Sequence, residues 1–136
     1  MSHKQANRYG ALALLLTFGL FAIAISANAA RQIAIYPKEL VPGGDLLRGQ
    51  IAIEHYGCGS CHTIPGIEGA NASVGPPLYE MAERSLIAGN LPNTPDNLVL
   101  WIQHPQQIEP GSDMPEMGIS EPVARDIAAY LYEVTD

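Results

Sequence analysis

The chain has few basic residues and only two cysteines, and both scarcities limit its function. Seven Lys and Arg residues stand against 14 Asp and Glu, for a formal net charge of −7 at pH 7. This acidic balance argues against nucleic acid or anionic lipid as a partner and favours a protein partner with a basic patch. Solubility alone also explains the charge. Two cysteines without a second pair cannot form the usual four-ligand structural zinc site.

The sequence also shows no alternating strand pattern of useful length and no internal repeat. Helical spacing, by contrast, recurs, so we expect an all-α fold with three to four helices and long loops. A first helix should begin near Asp45 and run to about Tyr56, with Leu47, Ile51 and Ile53 on its buried side. Gly49 would let another helix approach closely. A short helix is predicted over residues 78–84, after a Gly/Pro-rich loop at residues 63–77.

Two further helices are predicted towards the carboxyl end. Thr94 is a good N-cap with Pro95 at the first helical position, and Pro105 requires that helix to end by residue 104. Residues 105–119 are predicted to form a second Pro/Gly-rich loop. The final helix should begin at Ser120, with Pro122 in its first turn. One face of that helix carries Val123, Ile127, Tyr130, Leu131 and Val134.

The amino-terminal 29 residues have the features of an export segment. Lys4 and Arg8 precede a largely apolar stretch at residues 11–25, and Ala27-Asn28-Ala29 fits a small-residue cleavage site. Residues 9–30 carry no charge over 22 positions, and about 20 apolar residues suffice to span a membrane, so an uncleaved anchor is the alternative. We therefore expect a signal peptide or anchor at 1–29, an extended tether at 30–44 and one domain at 45–136. The domain should lie on the periplasmic side.

One motif dominates the domain, namely Cys58-x-x-Cys61-His62. Two thiols at this spacing can form thioethers with both vinyl groups of one porphyrin, and the next residue can supply the proximal imidazole. A bare Cys-x-x-Cys could also be a thioredoxin-type redox pair, half of a zinc site or a disulfide. A redox pair would follow a strand within a βαβ pattern, which is not visible here, and the histidine that follows Cys61 further favours haem. The motif therefore predicts one covalently bound haem c, with His62 as an iron ligand.

A second axial ligand must come from elsewhere in the chain. The candidates are Met81, Met114, Met117, His55 and His104. Met114 stands in the rigid stretch Pro110-Gly111-Ser112-Asp113-Met114-Pro115, which can direct a thioether inward. His104 is better explained as a surface residue at a helix end, and His55 lies too near Cys58 to reach the opposite face of the haem.

Residues 45–134 resemble class I, mono-haem c-type cytochromes, and most closely the cytochrome c domains associated with bacterial oxidases. The resemblance rests on Cys58-x-x-Cys61-His62 and on Pro110-Gly111-x-x-Met114, which matches the distal loop of that family. It implies a cytochrome c fold and His62/Met114 ligation. Ile53 departs from the aromatic residue that the family usually places at the crossing of the first and last helices.

The same resemblance implies further haem-binding residues. Gly75-Pro76-x-Leu78 matches the segment whose proline carbonyl accepts a hydrogen bond from the proximal imidazole. Arg84 lies where the family often places an arginine on a haem propionate, although a solvated charge at a helix end is an equal alternative. Trp101 occupies the position of an aromatic residue against the haem.

These residues predict a one-electron carrier rather than an enzyme, because no general acid, base or nucleophile is needed. Its partners would be redox proteins in a respiratory or similar chain. One alternative is a haem c subunit of a larger membrane oxidoreductase, such as a terminal oxidase or dehydrogenase. A ligand-binding sensor with an open sixth position is a third possibility, against which Met114 argues.

Overall fold

A computed structural model describes residues 40–134. The expected export segment and residues 30–39 of the expected tether lie outside the described residues. Every helix in the described part of the chain is too short or too polar to span a lipid bilayer. The elements are, in chain order, α1 (Leu46–His55), a 3-10 turn (Cys58–Ser60), a second 3-10 turn (Met81–Glu83), β1 (Leu86–Ile87), β2 (Leu91–Pro92), α2 (Pro95–Gln103), α3 (Pro105–Ile108) and α4 (Glu121–Glu133).

Helix α1 begins where the sequence predicts, but it buries a different face. The Asp45 carboxylate caps it by accepting a hydrogen bond from the backbone N–H of Arg48 at 2.8 Å. Ile53 is buried as expected, at 1% exposure, whereas Leu47 and Ile51 are 67% and 58% exposed. The prediction for these two residues is wrong because Gly49 selects the buried face. Positions two residues away from Gly49 point roughly 200° round the helix.

The close approach at Gly49 is made by α4. A Cβ atom on Gly49 would overlap the carbonyl oxygen of Asp126 and would lie 3.0 Å from the Cβ atom of Tyr130. Gly44, which precedes α1, is packed as tightly, since a Cβ atom there would lie 2.7 Å from the Cβ atom of Ala129. The first and last helices can therefore cross this closely only because Gly44 and Gly49 carry no side chain.

An ion pair fastens the same crossing. Asp126 on α4 is only 6% exposed. Its carboxylate accepts hydrogen bonds from Arg48 Nε at 2.8 Å, from Arg48 Nη2 at 2.9 Å and from the backbone N–H of Asp45 at 2.8 Å. The hydrogen bonds and charge of Arg48, helped by the Asp45 N–H, lower the pKa of Asp126 despite its burial. The sequence analysis did not identify this buried charge.

Helix α2 follows its predicted signals. Thr94 Oγ1 accepts a hydrogen bond from the N–H of Asn97 at 3.2 Å, Pro95 occupies the first helical position, and the helix ends at Gln103 before Pro105. Helix α4 likewise starts after Ser120, and it packs against both α1 and α2. Residues of these three helices form much of the hydrophobic core, namely Ala52, Ile53, Leu98, Val99, Ile102, Ala124, Ile127, Ala128, Ala129, Tyr130, Leu131 and Tyr132.

Two predictions about the connecting segments need correction, and one short feature was not predicted. The helix expected at residues 78–84 is only the 3-10 turn Met81–Glu83, because Glu80 before it adopts a left-handed backbone with φ of 53°. The loop expected at residues 105–119 contains the short helix α3. Strands β1 and β2 form an antiparallel pair, with Leu86 opposite Pro92 and Ile87 opposite Leu91. Two residues per strand are too few to produce an alternating pattern.

Candidate cofactor-binding site

A cavity of about 400 Å³ opens beside the Cys58–Ser60 turn. Its volume falls within the range of roughly 300–1,000 Å³ that is typical of ligand and cofactor sites. Every residue that the sequence analysis predicted for cofactor binding lies in its wall, together with apolar side chains of the core. These predicted residues are Cys58, Cys61, His62, Pro76, Leu78, Arg84, Trp101 and Met114.

The two cysteines enter the cavity wall from a tight turn. Gly57 precedes the turn with φ of 69°, a left-handed conformation that glycine adopts without strain. The N–H groups of Cys61 and His62 donate to the carbonyl oxygen of Cys58 at 3.2 and 3.0 Å, which closes the turn. Burial raises the pKa of the Cys58 thiol. Catalytic redox cysteines instead have a lowered pKa, so this environment disfavours the thioredoxin-type alternative.

The imidazole of His62 is oriented by the segment that contains Pro76. The Nδ1 atom of His62 lies 2.6 Å from the carbonyl oxygen of Pro76. Because a carbonyl oxygen can only accept, Nδ1 carries the proton in this contact, and the lone pair of the neutral ring is on Nε2. This is the tautomer that a metal-binding histidine with a carbonyl partner adopts.

Gly75 packs against the same imidazole. A Cβ atom on Gly75 would overlap the ring carbon Cε1 and would lie 2.7 Å from Nδ1. The segment is held in place by two backbone hydrogen bonds of 2.8 Å, from the Gly75 N–H to Cys61 and from the Leu78 N–H to Thr63. The Gly-Pro dipeptide signalled a turn in the sequence, but the contact of Gly75 with the ring was not foreseen.

The five candidates for a second axial ligand divide into two groups. Met81, Met114 and Met117 line the cavity, whereas His55 and His104 do not. His104 Nδ1 lies 3.5 Å from a carboxylate oxygen of Glu116, and His55 lies edge-on to Tyr56 with 5.1 Å between ring centroids. Met81 is 3% exposed and belongs to the core, while Met114 and Met117 are half-buried.

Arg84 has a contact that neither predicted role included. Its Nη2 atom donates to the carbonyl oxygens of Pro77 at 2.5 Å and Tyr79 at 3.0 Å. The guanidinium group therefore braces the loop that follows Pro76 while it lines the cavity. Leu78 and Trp101 are half-buried and pack against the core from the same wall.

Gln106 is a second residue that the sequence analysis missed. It lies on α3 and hydrogen-bonds to three residues of the loop that carries Met114. No signal in the sequence distinguishes it from an ordinary polar loop residue. Only the folded positions of α3 and this loop identify its role.

The residues of the cavity fit a c-type haem. Two thiols, an oriented imidazole and methionine sulfurs share one largely apolar cavity, as a covalently bound, six-coordinate haem requires. A structural zinc site does not fit, because residues 40–134 contain no group of three or more His, Cys, Asp or Glu that could hold a metal ion.

Two known c-type cytochromes are similar to this chain, one in sequence and one in fold. The chain is 38% identical over 103 residues to cytochrome c2 of Rhodopila globiformis, and the match covers 66% of this chain and 93% of that protein. The crystal structure of cytochrome c2 from Rhodobacter sphaeroides has the same fold, with a TM-score of 0.53 and 24% identity over 68% of this chain and 97% of that one. No protein-family model matches the chain.

A third relative is a larger protein. The chain is 34% identical over 85 residues to cytochrome c oxidase subunit 2 of Alkalihalophilus pseudofirmus, which is 62% of this chain and 24% of that protein. The match thus spans about a quarter of the subunit's length. It does not carry the activity of the subunit over to this chain.

Fold, cavity and similarity together define a c-type cytochrome of the mono-haem kind. The chain belongs to the class I c-type cytochromes, the family of cytochrome c2. Its fold is the cytochrome c fold predicted from the sequence, with four α-helices among residues 40–134. Its function is electron transfer, and the predictions of fold class and of an electron carrier rather than an enzyme are confirmed.

Proposed function

We propose that the chain carries one haem c bound covalently through Cys58 and Cys61, with His62 and Met114 as axial ligands, and that it passes single electrons between redox proteins. The observation that carries this proposal is that all eight predicted site residues line one cavity. When bound, the haem iron supplies the one-electron chemistry by alternating between Fe(II) and Fe(III).

The surrounding residues would fix the ligands and exclude water. The carbonyl oxygen of Pro76 holds the ring of His62 through Nδ1, and Gly75 packs against the imidazole. A ligand that cannot rotate keeps the same geometry in both oxidation states, so little must rearrange when an electron arrives. We propose that Leu78 and Trp101 form part of the apolar haem contact and that Arg84 faces a propionate.

Covalent attachment is tested by mass spectrometry of the protein after export and purification. We expect the denatured chain, analysed without a reducing agent, to have its mass increased by that of one haem. A Cys58→Ala variant and a Cys61→Ala variant should each retain at most one thioether, and the double variant should release its haem under denaturing conditions. Ser60→Ala is the matched control within the turn. Haem that dissociates from the denatured parent chain would contradict the proposal.

We further propose that the redox partner presents a basic surface. The three arginines among residues 40–134 are already engaged: Arg48 with Asp126, Arg125 with Glu121, and Arg84 with backbone carbonyls. They leave a large excess of carboxylates on the same part of the chain. A surface of this sign would steer positively charged partners towards the protein.

The mouth of the cavity combines this charge with apolar contact area. Val74 and Leu86 line the cavity although they are 77% and 47% exposed. Asp113, next to Met114, lines it as well, and the exposed Glu116 follows three residues after Asp113 in the same loop. Exposed apolar side chains bordered by carboxylates suit a partner with a complementary apolar and basic patch.

Salt dependence tests the charge of the docking surface. We expect oxidation of the reduced protein by a cationic oxidant such as tris(1,10-phenanthroline)cobalt(III) to slow as salt is added. Oxidation by anionic ferricyanide should accelerate under the same conditions, because screening weakens attraction in one case and repulsion in the other. The Asp113→Asn variant should reduce both effects. The same salt response with both reagents would refute the proposed surface.

The chain is further proposed to act in the periplasm, after removal of residues 1–29 or while anchored through residues 9–30. The charge pattern and the Ala27-Asn28-Ala29 site support this location. Membrane fractionation and amino-terminal sequencing of the mature protein distinguish cleavage from anchoring. A haem-loaded chain recovered only from the cytoplasm would contradict both versions.

A haem subunit within a larger oxidoreductase is the less favoured alternative. The partial similarity to the oxidase subunit supports it, whereas the match to cytochrome c2 covers nearly all of that protein. Purification under mild conditions separates the two. A free carrier should elute alone, while a subunit should elute in a stable complex of fixed stoichiometry.

A further inference from the structure

Gln106 is the residue on which the loop around Met114 is supported. It is the second residue of α3, directly after Pro105, whose side chain is among the most deeply buried in the described part of the chain. Pro105 thus anchors α3 in the core. The half-buried side chain of Gln106 extends from this anchor to the loop.

The side-chain amide of Gln106 makes three hydrogen bonds to that loop. Its Oε1 atom accepts from the N–H of Gly111 at 3.3 Å. Its Nε2 atom donates to the carbonyl oxygens of Ser112 and of Met114, the latter at 2.8 Å. These partners fix the orientation of the amide, because an N–H faces its oxygen and two carbonyls face its two hydrogens.

The backbone of Gln106 adds a fourth contact to the same segment. Its N–H donates to Glu116 Oε1 at 3.2 Å, two residues beyond Met114. In residues 40–134 the backbone of Met114 makes two hydrogen bonds, one from Gln106 to its carbonyl and one from its N–H to Ser112 Oγ at 3.2 Å. The residue that fastens Met114 to the helical framework is therefore Gln106.

We infer that Gln106 is a positioning residue that holds the backbone of Met114 so that the thioether remains on the iron. The inference rests on the proposed His62/Met114 ligation. A thioether is a weak, neutral ligand, so the time it spends bound depends on how firmly its loop is held. Loss of the two donated hydrogen bonds would let the loop move away and leave the sixth position open more often.

Two substitutions separate this role from simple packing. Gln106→Ala removes all three side-chain contacts. Gln106→Glu has nearly the same shape and keeps an acceptor for the Gly111 N–H, but at neutral pH it cannot donate to the carbonyls of Ser112 and Met114. Gln107→Ala is the matched control, because Gln107 is the next residue of the same short helix and is exposed.

The readouts are the weak far-red Met–Fe(III) absorption band of the oxidised protein and the rate of CO binding to the reduced protein. We expect both Gln106 variants to weaken the band and to bind CO roughly tenfold faster or more, as the loss of two hydrogen bonds predicts. The Gln107→Ala control should match the parent. Far-UV circular dichroism checks that each variant remains folded, and the near-isosteric Gln106→Glu provides the test if Gln106→Ala does not fold.

The outcomes distinguish this inference from the function on which it rests. If the parent protein has the far-red band and Gln106→Glu binds CO at the parental rate, Gln106 does not position Met114 through its donated hydrogen bonds, and the proposed ligation stands. If the parent itself lacks the band and binds CO rapidly, the His62/Met114 ligation is wrong, and the inference falls with it.

Discussion

Substituting Gly49 by alanine should destabilise the protein, although the same change stabilises most helices. Within a helix, alanine is ordinarily more favourable than glycine by about 0.8–1.0 kcal/mol. Here the new Cβ atom would overlap the carbonyl oxygen of Asp126 and lie 2.7 Å from its carbonyl carbon. Nonpolar carbon contacts are optimal near 3.5–4.0 Å, so α1 and α4 would have to separate by roughly 1 Å.

The size of the effect follows from these two opposing contributions. Overpacking typically costs about 1–3 kcal/mol, and the cost here should be at the upper end because the overlapping atoms belong to the backbone and cannot rotate away. After the gain in helix propensity, we expect a net loss of about 2 kcal/mol in the free energy of unfolding. For a domain of this size the melting temperature would fall by about 10 °C.

Chemical denaturation of the haem-loaded protein measures this change. Far-UV circular dichroism and haem absorption should report a lower guanidinium midpoint for Gly49→Ala. Glu54→Ala, at an exposed position of the same helix, serves as the control and should shift the midpoint little. An alanine variant at position 49 that is as stable as the parent, or more stable, would refute the close approach of α1 and α4.

Two further predictions concern buried ionisable groups. The pKa of Asp126 is lowered in the folded state, so its contribution to stability is present above the ordinary carboxyl pKa and is lost as pH falls through the folded value. The Asp126→Asn variant should therefore lose about 1–3 kcal/mol in the free energy of unfolding at neutral pH, and its stability should depend less on pH in the acid range. Denaturation measured at several pH values between acidic and neutral checks this. Burial raises the pKa of Tyr132, whose hydroxyl donates to Asn93 Oδ1, to about 12. The contribution of Tyr132 to stability is therefore present below about pH 10 and is lost as pH rises towards the folded value. The Tyr132→Phe variant should lack this alkaline dependence, and a variant whose ultraviolet-monitored pH titration matches that of the parent would contradict the prediction.

Local signals in the sequence predicted the starts of α1, α2 and α4 correctly. Asp45 and Thr94 cap their helices through bonds to residues three positions later, and such contacts depend only on neighbouring residues. The Cys58-x-x-Cys61-His62 motif is equally local, because the spacing of the vinyl groups determines the spacing of the thiols. Features of this kind can be recognised in a single sequence.

Several features that depend on distant parts of the chain were not predicted. The buried face of α1 is set by Gly49, which carries no hydrophobic signal, so Leu47 and Ile51 were wrongly placed in the core. Asp126 can be buried because it forms an ion pair with Arg48, and that partner lies 78 residues earlier in the chain. Gln106 similarly gains its role from the position of its helix beside the Met114 loop. Charge and polarity alone would have placed both residues on the surface.

The central claim is that Met114 and His62 are the axial ligands of a bound haem, and optical spectroscopy of the purified protein tests it most directly. The oxidised parent should show the weak far-red Met–Fe(III) band. Met114→Ala should lose this band, and Met117→Ala, which also changes a methionine of the cavity wall, should keep it. A parent without the band that binds CO readily, or loss of the band in Met117→Ala alone, would contradict the proposed ligation.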